Sequence, residues 1–153
     1  MSGEPGAAEP VWADAADHVA TYRRTDGTQG YWWHGRPHLL LGTTGRRSGR
    51  VHTVPVVYAR LVVAAGQRLV VVASAGGAEA HPAWYLNVRA DPSVTVRLLD
   101  REWTTVIEPA EGEDEEAAWA VMARTWDGFA RYRRDTVRRI PVLLLPLPVD
   151  GDL

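Results

Sequence analysis

Arginine and hydroxyl side chains crowd between glycines over Gly42-Thr43-Thr44-Gly45-Arg46-Arg47-Ser48-Gly49-Arg50. Glycines let backbone N–H groups approach a ligand, and guanidinium forks match the geometry of phosphate and carboxylate. The chemistry on offer is an anion cradle; on residue types alone a solvated basic hairpin turn is equally open. The Gly-Lys-Ser/Thr ending of a Walker loop is absent. A second stretch, Ser74-Ala75-Gly76-Gly77, closes an apolar run and leads through His81-Pro82 towards Trp84. Pro82 suits the first position of a helix reaching about Ala90, where Asp91-Pro92 stops it. A glycine-bearing strand end that feeds a helix N-terminus offers N–H groups and a favourable dipole to an anion. The alternative is an ordinary strand–helix connection with Trp84 in the core. His18, His34, His38, His52 and His81 have no ligand spacing, so no metal site is expected.

Those stretches need strands to hold them. Residues 39–41 and 54–58 flank the basic turn as the arms of a hairpin. Residues 61–65 and 69–73, across a turn at 66–68, predict a second pair, and residues 93–99 and 103–108 a third. No helical crossover separates these strands and no G-x-G-x-x-G follows one, which favours an antiparallel meander over a Rossmann sheet. Residues 11–24 have helical spacing at Trp12, Ala16, Val19 and Ala20. They read as a plain surface helix, or as a lid whose Trp12 covers a pocket. The acidic run 111–116 starts another helix, which the pattern continues past Gly128 into the basic segment 131–139. On that reading Trp126, Phe129 and Tyr132 share one aromatic helix face. Residues 140–145 are a last strand, 1–10 a disordered start and 146–153 a loose tail.

At 153 residues the chain makes one domain with room for a core. A net charge of −2 gives no global basic field, so nucleic acid is not expected as a partner. Cysteine is absent, which removes disulfides, thiolate metal sites and a cysteine nucleophile. All 17 basic residues are arginine, so lysine Schiff-base chemistry is excluded. Nothing resembles a signal peptide or an integral membrane segment; the expected location is the cytoplasm, with peripheral membrane contact as the alternative.

Taken together, TTGRRSGR followed by VPVVY, then SAGGAEAHPAWYLNVRADPSVTV, then RRDTVRRIPVLLL closely resemble the deazaflavin-dependent nitroreductase family. These are small actinobacterial-type oxidoreductases that use reduced coenzyme F420. The similarity covers residues 39–145, with the motifs in the right order. It implies a split β-barrel of the FMN-binding, pyridoxamine-phosphate-oxidase-like kind, mainly β with flanking helices. It also implies that Arg46, Arg47, Ser48, Gly49 and Arg50, with His52, hold the cofactor's phosphodiester and glutamate tail. The apolar ring would then lie along Pro55, Val56 and Val57 and the turn Ser74, Ala75, Gly76 and Gly77, bordered by Trp84. Trp12, Tyr58, Trp126, Phe129 and Tyr132 are the expected acceptor pocket.

Four positions depart from the family's pattern. Arg47 stands where Lys is common, which adds bidentate capacity. His52 stands where a permanent cation often contacts the phosphate. Trp126 and Phe129 stand where relatives that reduce nitroimidazoles present tyrosines, leaving Tyr132 alone. A larger, drier pocket and poor nitroimidazole reduction are expected. The implied reaction is hydride transfer to a quinone, an activated C=C bond or a nitro compound, with Ser74 or Tyr132 as proton donor or polarising group. An FMN-dependent reductase on the same fold, or a non-catalytic deazaflavin or fatty-acid carrier, are the alternatives. Split barrels often pair through their sheets, so a homodimer is the expected assembly.

Overall fold

Leu69, Val70, Val71 and Val72 are all buried, and so are Val142, Leu143, Leu144 and Leu145. Alternate residues of a strand point to opposite faces, so each of these runs carries core on both sides. The computed structural model describes residues 12–148 and shows what covers the two faces. One sheet contains β1 (Trp32–Trp33), β2 (Arg36–Thr44), β3 (Val51–Val57), β6 (Ser93–Leu98) and β7 (Arg101–Val106). Its order is β1-β2-β6-β7, with β3 also paired to β2. The other has β4 (Ala59–Val63), β5 (Gly66–Val72), β9 (Val142–Pro146) and β8 (Glu108–Pro109), in the order β4-β5-β9-β8. Every pairing is antiparallel, and the arrangement is that of a split barrel with flanking helices.

Leu69, Val71, Leu143 and Leu145 pack between the sheets with Leu39, Leu41, Val94 and Val96. Helix α1 (Ala15–Arg24) adds Tyr22 to that core, and α2 (Ala83–Ala90) adds Trp84 and Val88. The opposite faces, Val70, Val72, Val142 and Leu144, pack under Trp119 and Met122 of α3 (Glu113–Thr125) and Phe129 of α4 (Gly128–Asp135). Burial on both faces is why these strands read as continuous apolar runs.

The structure moves several expected boundaries. The β4–β5 turn is Ala64-Ala65, and Gly66, at φ +126°, pairs with Val63 as the first residue of β5. The β6–β7 turn is Leu99-Asp100, with Leu99 at φ +55° and its N–H held by the Tyr22 hydroxyl at 2.9 Å. Pro82 caps α2 in extended backbone (ψ 151°) and does not open its first turn. Helix α1 starts at Ala15 because the Asp14 carboxylate caps the Asp17 N–H at 2.9 Å. The disordered start expected over residues 1–10 lies outside the described residues.

The larger correction concerns the C-terminal helix, which is two helices. Trp126 adopts extended backbone (φ −159°, ψ 121°) and ends α3. Its ring then folds over Gly128, where a Cβ would lie 2.2 Å from the indole. The aromatic triplet is therefore built by a chain break, not by helical spacing. The rings still meet edge-on, with centroids 5.1 Å apart for Trp126–Phe129 and 5.3 Å for Trp126–Tyr132.

Candidate cofactor and active site

Strands β2 and β3 stay in register to Thr44 and Val51, and residues 45–50 close the hairpin. The Gly45 N–H donates to the Arg50 carbonyl at 2.7 Å, and the Gly49 N–H to the Gly45 carbonyl at 2.9 Å. Ser48 Oγ accepts from the Arg50 N–H at 3.1 Å and lies 3.2 Å from His52 Nε2. A Cβ at residue 45 would sit 2.6 Å from that Oγ and 2.7 Å from that Nε2, so glycine leaves the Ser48 and His52 side chains free to meet.

Helix α2 braces the hairpin through Asn87, which is 4% exposed. Its Oδ1 accepts from the Arg46 N–H at 3.2 Å and from Arg46 Nη1 at 3.0 Å, and its Nδ2 donates to Thr43 Oγ1 at 3.0 Å. Both polar atoms of this buried amide are hydrogen-bonded, and it fixes the Arg46 guanidinium without neutralising it. Sequence reasoning missed Asn87. Its signal was a polar residue on a helix otherwise burying Trp84 and Val88. Between hairpin and helix lies a cleft of about 420 Å³, lined by Arg46, Arg47, Ser48, His52, Val54, Trp84 and others.

Two arginine-rich stretches reach the surface, and they differ in charge balance. In the C-terminal segment Arg131 pairs with Asp127 (3.3 Å), Arg133 with Glu116 (2.7 Å), Arg134 with Asp135 (2.9 Å) and Arg139 with Glu115 (2.7 Å). At the hairpin, neither the Arg47 nor the Arg50 guanidinium has an ion-pair partner among the described residues. Uncompensated guanidinia around a cleft with a hydroxyl and an imidazole suit a phosphate or carboxylate ligand. The donor set fits the polyanionic tail of a deazaflavin cofactor.

The second stretch forms a turn between β5 and α2. Ala75, Gly76 and Gly77 have φ of 48°, 65° and 81°, a left-handed turn following the buried Ser74. Tyr132 of α4 lies against this turn: a Cβ on Gly77 would be 3.0 Å from Tyr132 Cδ1. Trp126 beside it is stacked under the Arg36 guanidinium, 4.0 Å from the ring centroid. Trp84 is buried and borders the cleft from α2. The structure thus groups Trp126, Phe129 and Tyr132 next to the Ser74–Gly77 turn.

The remaining expected residues sit elsewhere. Trp12 stacks on His18 (4.6 Å, 5° between planes). Tyr58 is buried, with its hydroxyl 2.9 Å from that of Tyr31, and burial followed by that hydrogen bond pushes its pKa up. Pro55, Val56 and Val57 pair with Leu40, Leu39 and His38 on β3, which has no second ladder partner, so Pro55 breaks no pairing. Among the described residues no group of His, Asp and Glu could hold a metal ion, and no helix is long and apolar enough to cross a membrane.

A family model described as F420H(2)-dependent quinone reductase matches residues 15–146. An F420H(2)-dependent quinone reductase of Mycobacterium tuberculosis is 33% identical over 132 residues, spanning 84% of this chain and 86% of the relative. A solved F420-H2 dependent reductase is 36% identical, with a TM-score of 0.62 over 72% of this chain and 94% of its own. A second solved chain, described as a domain-swapped dimer, is 33% identical with a TM-score of 0.65, covering 85% of this chain and 92% of its own.

Proposed function

The chain belongs to the F420H(2)-dependent quinone reductase family and is an F420-dependent reductase, and from that premise we propose that it passes a hydride to an electron-poor acceptor, a quinone first. Activated C=C and nitro compounds are the further acceptor classes. Coenzyme F420, when bound, supplies the hydride; the protein supplies binding, orientation and proton handling. The family's cofactor leaves the FMN alternative unneeded, and its activity sets aside the carrier reading.

The observation that carries the proposal is the hairpin–α2 cleft lined by Arg47, with Arg50 on the same hairpin, two cations without an ion-pair partner among the described residues. They bind the anionic tail, Ser48 and His52 add hydrogen bonds, and Asn87 holds the Arg46 fork in place. The ring end takes the Ser74–Gly77 turn, with Trp84 as its border. Tyr132, packed on Gly77, faces that end and holds the proton that the reduced acceptor requires. The aromatic group of Trp126 and Phe129 forms the acceptor's apolar wall. We also infer pairing into a homodimer, supported by the similar chain solved as a domain-swapped dimer.

The test is a fluorescence titration with oxidised coenzyme F420 and, separately, FMN. Wild type binds the deazaflavin in preference, and Arg47→Ala weakens it about ten-fold or more, the size of a lost charge-assisted contact. Equal affinity in the variant would remove the hairpin from the tail site; preference for FMN would overturn the cofactor reading for this chain.

A further inference from the structure

The basic segment near the C-terminus contains one arginine that behaves unlike its neighbours. Val137 is 98% exposed and Arg139 reaches out to Glu115, while Arg138 turns inward onto the β5–α2 connection. Its Nη2 donates to the carbonyls of Ala73 (3.1 Å) and Ser74 (2.8 Å), and its Nε to the carbonyl of Ala78 (2.8 Å). Its Nη1 lies 2.9 Å from His81 Nδ1. One planar fork therefore ties both ends of the left-handed turn to residue 81.

That turn needs an external tie. Three consecutive residues with positive φ make a left-handed helical turn, closed by the Gly77 N–H on the Ser74 carbonyl (2.8 Å) and the Ala78 N–H on the Ala75 carbonyl (3.2 Å). Left-handed residues normally occur singly, and Ala75, with a Cβ, is strained there. Such backbone persists where surrounding structure over-determines it. Nothing in Ser74-Ala75-Gly76-Gly77 itself compels three positive φ values, since glycine permits either sign.

We propose that Arg138 is a positioning residue for the reductase site, holding the Ser74–Gly77 turn in its left-handed form with a neutral His81 as the fourth acceptor of its guanidinium. The assignment of this turn to the ring end of the cofactor rests on the function proposed above. An arginine has no acceptor, so it donates to His81 Nδ1, and His81 carries its proton on Nε2. Burial, then Arg138, then Arg89 hold the His81 pKa below its ordinary value, in keeping with that role. The groups around this imidazole are Arg138, Arg89 and the Tyr85 ring, 4.8 Å away. A protonated His81 would set two cations against each other and free the turn. Lysine retains the charge and loses the fork, which separates geometry from charge.

The experiment compares wild type, Arg138→Lys and Arg138→Gln as full chains without cofactor, by amide hydrogen exchange and by imidazole ¹⁵N spectra of His81. In both variants the Gly77 and Ala78 amides exchange at least ten-fold faster while core amides of β9 keep their rates. His81 shows the Nε2–H tautomer in wild type and titrates at higher pH in Arg138→Gln. With cofactor, kcat falls at least ten-fold in both variants while affinity for coenzyme F420, held at the hairpin, changes less than three-fold. Wild-type exchange in Arg138→Gln, or a wild-type His81 held as the Nδ1–H tautomer, overturns the proposal. So does full turnover in Arg138→Lys, which would make charge sufficient. A wild type that fails to bind the cofactor refutes the function above, and the exchange and tautomer measurements then still decide the role of Arg138.

Discussion

Tyr132 is where a single atom separates packing from chemistry. Its ring fills the space that Gly77 leaves, and its hydroxyl is the group we propose as proton donor to the acceptor. Tyr132→Phe keeps the ring and removes the proton, so kcat with a quinone should fall ten-fold or more while the Kd for coenzyme F420 is unchanged. Steady-state kinetics beside a binding titration checks this; weakened binding would instead make Tyr132 part of the cofactor site. Asn87 shows a different legibility. Its identity was plain in the sequence, but its partners Arg46 and Thr43 lie more than 40 residues away, and nothing local to α2 announces them.

At the scale of elements, the break between α3 and α4 organises the aromatic group proposed as the acceptor's wall. Gly128 is the residue that lets the Trp126 ring fold back, with Arg36 closing over the indole. Two effects compete in Gly128→Ala. Helix propensity favours alanine by less than the roughly 1 kcal/mol of a helix interior, since Gly128 is the first residue of α4, whereas a Cβ 2.2 Å from the ring forces the indole out or the helix away, at about 1–3 kcal/mol. The clash should win, giving lower stability in urea and a red-shifted tryptophan emission as Trp126 loses its cover. A stabilised variant with unchanged emission would mean the ring has another place to go. Spacing alone could not reveal this break, because the aromatic triplet fits a continuous helix equally well; in the fold Trp126 leaves helical backbone and its indole lies under the Arg36 guanidinium.

Across the whole molecule, α1 and the β1–β2 corner are held by two buried histidines. His18 Nε2 bonds the Gly30 carbonyl at 2.8 Å, His38 Nδ1 bonds that of Arg36 at 2.9 Å, and the rings lie 5.5 Å apart. Burial lowers both pKa values, that of His38 from 6.5 to about 4. Because the unfolded chain binds a proton at higher pH than the native one, stability is fully present above about pH 6.5 and is lost as pH falls towards 4. A shift of that size corresponds to about 3 kcal/mol, with His18 acting in the same direction. Urea unfolding at a series of pH values should show this slope, and His38→Gln should flatten it; a wild-type profile without a slope in that window would show that the pair does not govern acid stability.

What the sequence determined by itself was whatever is written in short-range pattern. The doubly buried strands, the cation-bearing hairpin and the glycine turn before α2 were all legible, because hydrophobic runs and turn residues act within a few positions. Motif order added the family, and with it the cofactor. Only the tertiary structure decided which arginines are free to bind. Arg131, Arg133, Arg134 and Arg139 look as basic as the hairpin, yet carboxylates neutralise them, and two of those, Glu115 and Glu116, come from α3. Arg138, in the same run, instead reaches back about 60 residues to clamp the Ser74–Gly77 turn. For Arg133, Arg138 and Arg139 the role of the guanidinium is set by the partner the fold brings to it, and that partner is absent from the local sequence.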